Sequence, residues 1–214
     1  MNENKINTPN VDVIIEGRMV VLRPLSEKEA NERYVSWLND PQINQYLETR
    51  HKTQTLADVY NYINRLRLSP GCEIFGVFSK KNDAHVGNVA VVQYNSNNQG
   101  VASYGIIIGE QHALIAGFGA EAEALIVDFL FKQPEIRKVK AGCYVDNYKS
   151  WQLIESLGFK REGILREEAV LSSSKVCDIY VYGILKQEWL EQRSKILLLK
   201  YMTIIDKRRH DDKQ

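Results

Sequence analysis

Residues 106–122 read IIIGEQHALIAGFGAEA and decide the fold, because an apolar strand-like run gives way to a glycine turn that opens a helix. Gly117 and Gly119 alternate in that turn, which lets the backbone approach a ligand without a side chain in between. Free N–H groups and the positive end of the helix dipole lie at the same place. The segment therefore predicts an anion site of the kind that holds a phosphate-bearing cofactor.

The glycine turn alone leaves two other interpretations open. Both glycines could merely close a tight turn, and Gly117 to Ala122 also satisfies the dinucleotide pattern G-x-G-x-x-A, with Asp146 as a ribose ligand. A Rossmann unit, however, places its glycines directly after the strand and repeats its βα units. Here eight residues intervene and too little chain follows for a second half, which argues against a dinucleotide.

The elements around the turn predict an α/β (α+β) domain with one mixed sheet and helices on both faces. Hydrophobic periods and turn residues give the order β-α-α-β-β-β-α-β-α-β-β, with three consecutive strands between residues 74 and 109 that read as an antiparallel meander. Ser26 opens an S-x-x-E capping box and predicts a helix start, and a second helix is predicted from Thr55 to about Leu68.

The two ends of the chain extend this domain. We expect a flexible arm over residues 1–17, the domain over 18–190, and a helical extension with a charged tail over 191–214. The stretch from Lys186 to about Ile205 predicts a final helix that is unusually apolar. Such a helix must bury its apolar face against its own domain, in a homodimer contact or at a membrane surface.

Composition narrows the class of protein. Among 214 residues, 28 Lys and Arg nearly balance 27 Asp and Glu, so the net charge of +1 attracts neither nucleic acid nor an anionic membrane. Cys72, Cys143 and Cys177 form no C-x-x-C pair, which argues against a disulfide framework and a zinc site. The start is polar, and no stretch of about 18 apolar residues could span a bilayer. We therefore expect a cytoplasmic protein without a bound metal.

Four segments, in order, resemble one known family. They are VVLRPLSEKEANERYVSWLNDPQINQYLE (20–48), IIIGEQHALIAGFGAEA (106–122), VDNYKSWQLIESLGF (145–159), and REGILREE (161–168) with VYGILKQEW (181–189). The third is the most specific, because an Asn and a Ser three residues apart open a short helix that ends in Gly-Phe. Over residues 18–190 the chain resembles the GNAT superfamily of N-acetyltransferases, particularly the subgroup of ribosomal-protein alanine, polyamine and nucleotide-aminosugar acetyltransferases.

The resemblance implies an acetyl-CoA-dependent enzyme that acetylates a primary amine of a small-molecule acceptor by direct attack. It also implies a mostly antiparallel sheet in which the strands ending at Gly109 and Asp146 are parallel neighbours that splay apart, with the cofactor in the wedge. The implied cofactor residues are Ile106, Ile107 and Ile108 for the pantetheine arm, Ala116, Gly117, Phe118, Gly119 and Ala120 for the pyrophosphate, and Asn147 and Ser150 beside the pantetheine and thioester.

The chain departs from the family pattern at two places. Leu114 stands where Gln or Arg is usual, so one phosphate-directed cation is missing, and Ile154 stands where many relatives carry a Tyr that protonates the departing thiolate. The acid is then left to Ser150, with Tyr148 as the other candidate. Because of the same departures, an alternative function stays open, in which the chain is a non-catalytic module that binds acyl-CoA as a sensor.

Two residues after the cofactor strand are candidates for the general base. Glu110 is the first, because it ends that strand and is expected to point into the cleft, and His112 is the second. A solvated loop carboxylate and a loop histidine without a role are the alternatives.

The connection between the first two helices, residues 45–51, is expected to form a wall of the acceptor site. Tyr46 could stack on a base or sugar, and Arg50 and His51 could meet a nucleotide diphosphate, with Glu48 between them. The segment looks most like acetyltransferases that modify an amino group on a nucleotide-linked sugar. A polyamine and a protein N-terminus stay alternative acceptors, because the near-neutral composition rejects neither.

Overall fold

A computed structural model describes residues 13–92, 100–172, 175–196 and 199–206. The strands described there are β1 (Val13–Glu16), β2 (Val20–Pro24), β3 (Glu73–Ser79), β4 (His85–Val92), β5 (Val101–Ile108), β6 (Lys138–Tyr144), β7 (Lys160–Ser172), β8 (Lys175–Leu185) and β9 (Thr203–Asp206). The helices are α1 (Glu32–Asn39), α2 (Pro41–Asn44), α3 (Leu56–Leu68), α4 (Gln111–Ile115), α5 (Phe118–Lys132), α6 (Tyr148–Ser156) and α7 (Lys186–Gln192).

One sheet contains all the described strands, in the order β7-β8-β6-β5-β4-β3-β2-β1-β9. Every neighbouring pair is antiparallel except β5 and β6, which are parallel because α5 carries the chain from one end of the sheet back to the other. The mixed, mostly antiparallel sheet with one parallel pair is the arrangement that the sequence predicts.

Apolar side chains cover both faces of this sheet. On one face α5 packs over the larger cluster, in which Leu125 and Ile126 are fully buried. On the other face α1 and α3 pack through Trp37, Val59 and Ile63. Neighbouring residues of a strand point to opposite faces, so each central strand contributes to both cores.

Side-chain caps divide the first predicted helix into two pieces. Ser26 and Glu29 do form a capping box, but the box closes only a 3-10 turn over Glu27–Glu29. Asn31 then caps α1, since its side chain accepts a hydrogen bond from the backbone N–H of Tyr34. The second helix begins at Thr55, as predicted, and the structure adds a capping box between Thr55 and Asp58.

The predicted helix over Lys186 to Ile205 is wrong in its length. The helix α7 ends at Gln192, a 3-10 turn follows over Arg193–Lys195, and Thr203–Asp206 forms β9. The reason is a long-range partner, since β9 pairs antiparallel with β1 from Val13 to Glu16.

The same pairing shows that part of the arm predicted to be flexible, residues 13–16, is a strand. Residues 13–16 are the strand β1, between β2 and β9, and the side chains of Val13 and Ile15 are buried. Residues 1–12 of that arm, residues 93–99 and the charged tail from 207 lie outside the described residues. Among the residues that are described, no helix has the length and apolar character needed to cross a membrane.

A buried carboxylate ties the start of α5 to the first hairpin. Glu121 is fully buried and accepts hydrogen bonds from three consecutive backbone N–H groups, those of Arg18 at 2.6 Å, Met19 at 2.8 Å and Val20 at 3.0 Å. The turn between β1 and β2 therefore fixes the helix one turn after the glycines.

We expect Glu121→Ala to lower the free energy of unfolding by about 3 kcal/mol, because three backbone N–H groups, one of them fully buried and two partly, lose their acceptor. Urea unfolding followed by circular dichroism measures this. Glu135→Ala, at an exposed site just after α5, is the matched control and should change stability by less than about 0.5 kcal/mol. Equal effects of the two substitutions would contradict the assignment.

Candidate active site

The parallel strands β5 and β6 separate after only three residue pairs. Their register runs from Val101 opposite Lys138 to Ser103 opposite Lys140 and then stops. On their other sides the strands stay paired, β5 with β4 as far as Ile108 and β6 with β8 as far as Tyr144. A gap with an open strand edge therefore lies in the middle of the sheet.

A cavity of ≈ 1390 Å³ fills this gap and reaches both faces of the sheet. Eight of the ten predicted cofactor residues line it, namely Ile106, Ile107, Ile108, Gly117, Gly119, Ala120, Asn147 and Ser150. Ala116 caps the C-terminus of α4, and Phe118 packs against the core beneath α5. The structure thus brings most of the predicted set to one space.

The glycine turn leaves the start of α5 uncovered. Gly117 is the N-cap residue with φ of +81°, which favours glycine, and it provides no side-chain cap for the first N–H groups of the helix. The preceding connection contains the short helix α4, whose Leu114 and Ile115 are 51% and 82% exposed beside the cavity. At positions 114 and 115 apolar side chains therefore stand where cations could, and the groups available to an anion are the backbone N–H groups at the start of α5.

The carboxylate of Glu110 is held by α1. Its Oε1 accepts hydrogen bonds from Arg33 Nε at 2.7 Å and from Trp37 Nε1 at 3.0 Å, and the Trp37 ring lies against Gly109. Burial alone would raise the pKa of Glu110, but these hydrogen bonds and the Arg33 charge outweigh it and lower that pKa. Glu110 thus contacts α1 and does not point into the cleft as predicted. It is not among the described residues that line the cavity.

The other predicted catalytic residues lie apart from each other. His112 is 66% exposed, with Nδ1 3.8 Å from Glu110 Oε2, and is outside the lining of the cavity among the described residues. Ser150 does line the cavity, in the first turn of α6, where its N–H donates to the carbonyl of Asn147 at 3.1 Å. Cys143 beside it is buried in the core, and burial raises the pKa of its thiol.

The predicted acceptor residues lie together at the end of β6. Tyr46 Oη donates to the carbonyl of Asp146 at 3.1 Å, and its ring lies 5.6 Å from that of Tyr144. Tyr144 Oη in turn donates to the carboxylate of Glu48. Arg50 is almost buried and donates to Tyr144 Oη at 2.9 Å and to the carbonyl of Leu47 at 2.6 Å, so its guanidinium holds the segment in place.

An outer cavity of ≈ 570 Å³ adjoins this segment. Tyr46, Arg50 and His51 line it together with Lys52, Lys175 and Asp146. The side chains of Lys and Arg thus outnumber carboxylates there by three to one. Each of these three cations has a carboxylate partner, which reduces the excess of positive charge: Lys175 pairs with Asp146, Lys52 with Asp58 at 2.8 Å, and Arg50 with Glu48 at 3.6 Å.

Sequence reasoning missed two buried polar residues on the cavity wall. Asn88 is 2% exposed in the strand HVGNVAVV, and Glu123 is 3% exposed in the helix segment AEAEALIVDFLF. Glu123 accepts a hydrogen bond from Tyr104 Oη, and burial raises the pKa of Glu123 to about 7. The feature of the sequence that could have identified both residues is a polar side chain inside an otherwise apolar strand or helix.

The separated parallel strands, the uncovered helix start and the cavity between them form a candidate active site of the kind that an acyltransferase needs. The family model described as an acetyltransferase (GNAT) domain matches residues 19–160, and the chain belongs to this family. GNAT acetyltransferases use acetyl-CoA as the acetyl donor. Across the described residues, no group of three or more His, Cys, Asp or Glu side chains is arranged to hold a metal ion.

Relatives and solved structures agree with this assignment. The uncharacterized N-acetyltransferase p20 of Bacillus licheniformis is 26% identical over 172 residues, which cover 79% of this chain and 94% of that protein. A GNAT-family acetyltransferase from Bacillus anthracis superposes with a TM-score of 0.68 at 21% identity, over 82% of this chain and 99% of that one. Spermidine N-acetyltransferase from Vibrio cholerae, in complex with CoA and spermine, gives a TM-score of 0.70 at 21% identity, over 80% and 98%. At these identities the two structures show the fold.

We expect the carboxyl group of Glu123 to make stability depend on pH. Its pKa is about 7 in the folded protein against an ordinary value of 4.5, so the folded state holds the proton more tightly and loses stability as pH rises through this range. Glu123→Gln removes the titration. Its unfolding free energy relative to the native chain should therefore rise by up to about 3 kcal/mol between pH 5 and pH 8, measured by urea unfolding. A difference that is constant with pH would contradict the raised pKa.

Proposed function

We propose that this protein binds acetyl-CoA along the gap between β5 and β6 and transfers the acetyl group to a primary amine of a small acceptor. The observation that carries the proposal is the continuous cavity, which joins the glycine turn on one face of the sheet to α1 and α3 on the other. Donor and acceptor then meet in one space, where their reacting atoms can be held close together.

Backbone groups would hold the cofactor. The free N–H groups at the start of α5, next to Gly117, would bind the pyrophosphate, and the open edge of β5 would pair with the amide groups of the pantetheine arm. A Cβ built on Gly105 meets no atom within 4 Å, so there is room for the arm beside this strand. When bound, acetyl-CoA supplies an acetyl group that is activated as a thioester.

One side chain at the cavity would move a proton. Ser150 lies beside the end of the gap and is our candidate for the group that protonates the departing thiolate, after which its hydroxyl regains a proton from water. Glu110 is a weaker base than the sequence indicates, because its pKa is lowered. We place the loss of the acceptor's proton at the mouth of the cavity near Glu48, whose side chain is 78% exposed, so that the proton passes to water.

The outer cavity favours an aminosugar nucleotide as the acceptor. Its cationic side chains suit a diphosphate, and the ring of Tyr46 suits a sugar or base. The fold shared with a spermidine N-acetyltransferase supports a polyamine as the alternative acceptor.

A thiol-release assay with acetyl-CoA and three acceptor classes tests this function. We expect turnover with an aminosugar nucleotide and slower turnover with spermidine and with a peptide N-terminus. Ser150→Ala should lower kcat by about 10- to 100-fold, since it loses a positioned proton donor, while acetyl-CoA affinity by calorimetry stays within about twofold. Ser156→Ala, at an exposed serine of the same helix, is the matched control. Binding of acetyl-CoA without thiol release from any amine would instead identify a sensor.

Gly105→Val tests the path of the cofactor. A side chain there enters the cavity without a clash at its Cβ, and valine favours a strand, so we expect unchanged or slightly higher stability with at least about a tenfold loss of acetyl-CoA affinity. Gly163→Val is the control, because its Cβ also meets nothing within 4 Å and it lies on β7, apart from the cavity lining. Tight binding of acetyl-CoA to the Gly105 variant would overturn the proposed path.

A further inference from the structure

The part of the cavity next to α1 and α3 has its own chemical character. We call it the acceptor lobe and define it by Tyr34, Val59, Tyr62, Asn88 and Ile107, all of which line the cavity. Val89 and Val91 of β4 pack on the α5 face, so Asn88, between Gly87 and Val89, faces the opposite side of the sheet. The acceptor lobe therefore lies across the gap from the glycine turn.

Asn88 carries an unsatisfied polar atom into this lobe. Its side chain is almost completely buried and its Oδ1 lies 2.8 Å from His85 Nε2. Among the described residues its Nδ2 makes no hydrogen bond of good geometry, although the Tyr34 phenol lies beside the amide. An unpaired buried amide costs about 1–3 kcal/mol and is rare in folded proteins. A ligand that accepts a hydrogen bond from Nδ2 would recover that free energy.

The orientation of the amide is fixed from behind by His85. The His85 ring stacks on Phe78, with centroids 5.0 Å apart, and meets Trp37 edge-on at 5.1 Å. Burial lowers the pKa of His85, so its ring is neutral, and the tautomer that carries its proton on Nε2 donates to Asn88 Oδ1. The nitrogen end of the amide is thereby left for the cavity.

Neutral groups surround that nitrogen. Burial raises the pKa values of Tyr34 and Tyr62, so both are uncharged phenols. Charged residues stand at the rim of this side. Asp58 of α3 is paired with Lys52, Arg65 of α3 lies 5.6 Å from the ring of Tyr62, and Glu48 accepts a hydrogen bond from Tyr144 Oη. An acceptor that fits here is polar and uncharged in the part that enters the lobe.

We propose that Asn88 Nδ2 donates a hydrogen bond to a hydroxyl or carbonyl oxygen of the acceptor and thereby selects oxygen-bearing primary amines, such as aminosugars, over alkylamines and polyamines. The inference rests on the proposed function, because it assigns the acceptor to this lobe. An amine without such an oxygen leaves Nδ2 buried and unpaired, which is the situation in which a polar site discriminates most strongly.

Two amines of equal shape test the proposal, trans-4-aminocyclohexanol and cyclohexylamine. We expect the native chain to prefer the hydroxylated amine by about tenfold or more in kcat/KM, and in affinity by calorimetry in the presence of CoA. Asn88→Leu should lose this preference, chiefly through weaker use of the hydroxylated amine. Asn64→Leu, on α3 and apart from the cavity lining, is the matched control and should keep it.

The outcomes separate this inference from the function itself. Equal kcat/KM and equal affinity of the native chain for the two amines would overturn the role of Asn88, whatever the variants do. Preferential binding of the hydroxylated amine without thiol release would support the role of Asn88 and overturn the acetyltransfer. If Asn88→Leu fails to fold, Asn88→Ala removes the whole amide without adding bulk and should abolish the same preference.

Discussion

The separation of β5 from β6 beyond Ser103 and Lys140 is the constraint on which the rest of the structure depends. Backbone N–H and C=O groups at an open strand edge need partners, and within a sheet those partners are normally the next strand. Here β4 and β8 hold the two strands from outside, so the gap cannot close by a simple shift. Its unpaired edge is available to a ligand that carries amide groups of its own.

Several local features keep this gap accessible to a ligand. Gly105 leaves the side of β5 open, and Gly117 leaves the start of α5 open. Glu121 fixes the same helix to the turn between β1 and β2 through three backbone hydrogen bonds, so the helix start is held at a set place relative to the strands. The open backbone is therefore surrounded by elements that are themselves tightly bound.

The sequence allowed the prediction of features that depend on nearby residues. Strand alternation, the helix start at Thr55 and the glycine turn depend on short stretches of sequence, and these elements agree with the structure. Pairings between distant segments were not predictable in this way. The apolar run before Ile205 reads as helix but supplies β9, because β1 offers it an edge, and Glu110 is held by Trp37 from 73 residues away.

Three buried polar residues separate what the fold requires from what the site requires. Glu121 has three hydrogen-bond donors and Glu123 has one in Tyr104 Oη, so both carboxyl groups are satisfied within the fold. Asn88 Nδ2, by contrast, makes no hydrogen bond of good geometry with the described residues, although the Tyr34 phenol lies beside it. Violations of local rules without a structural gain are expected at functional sites. The Nδ2 atom of Asn88 at the cavity is thus best understood as a group whose partner arrives with a ligand.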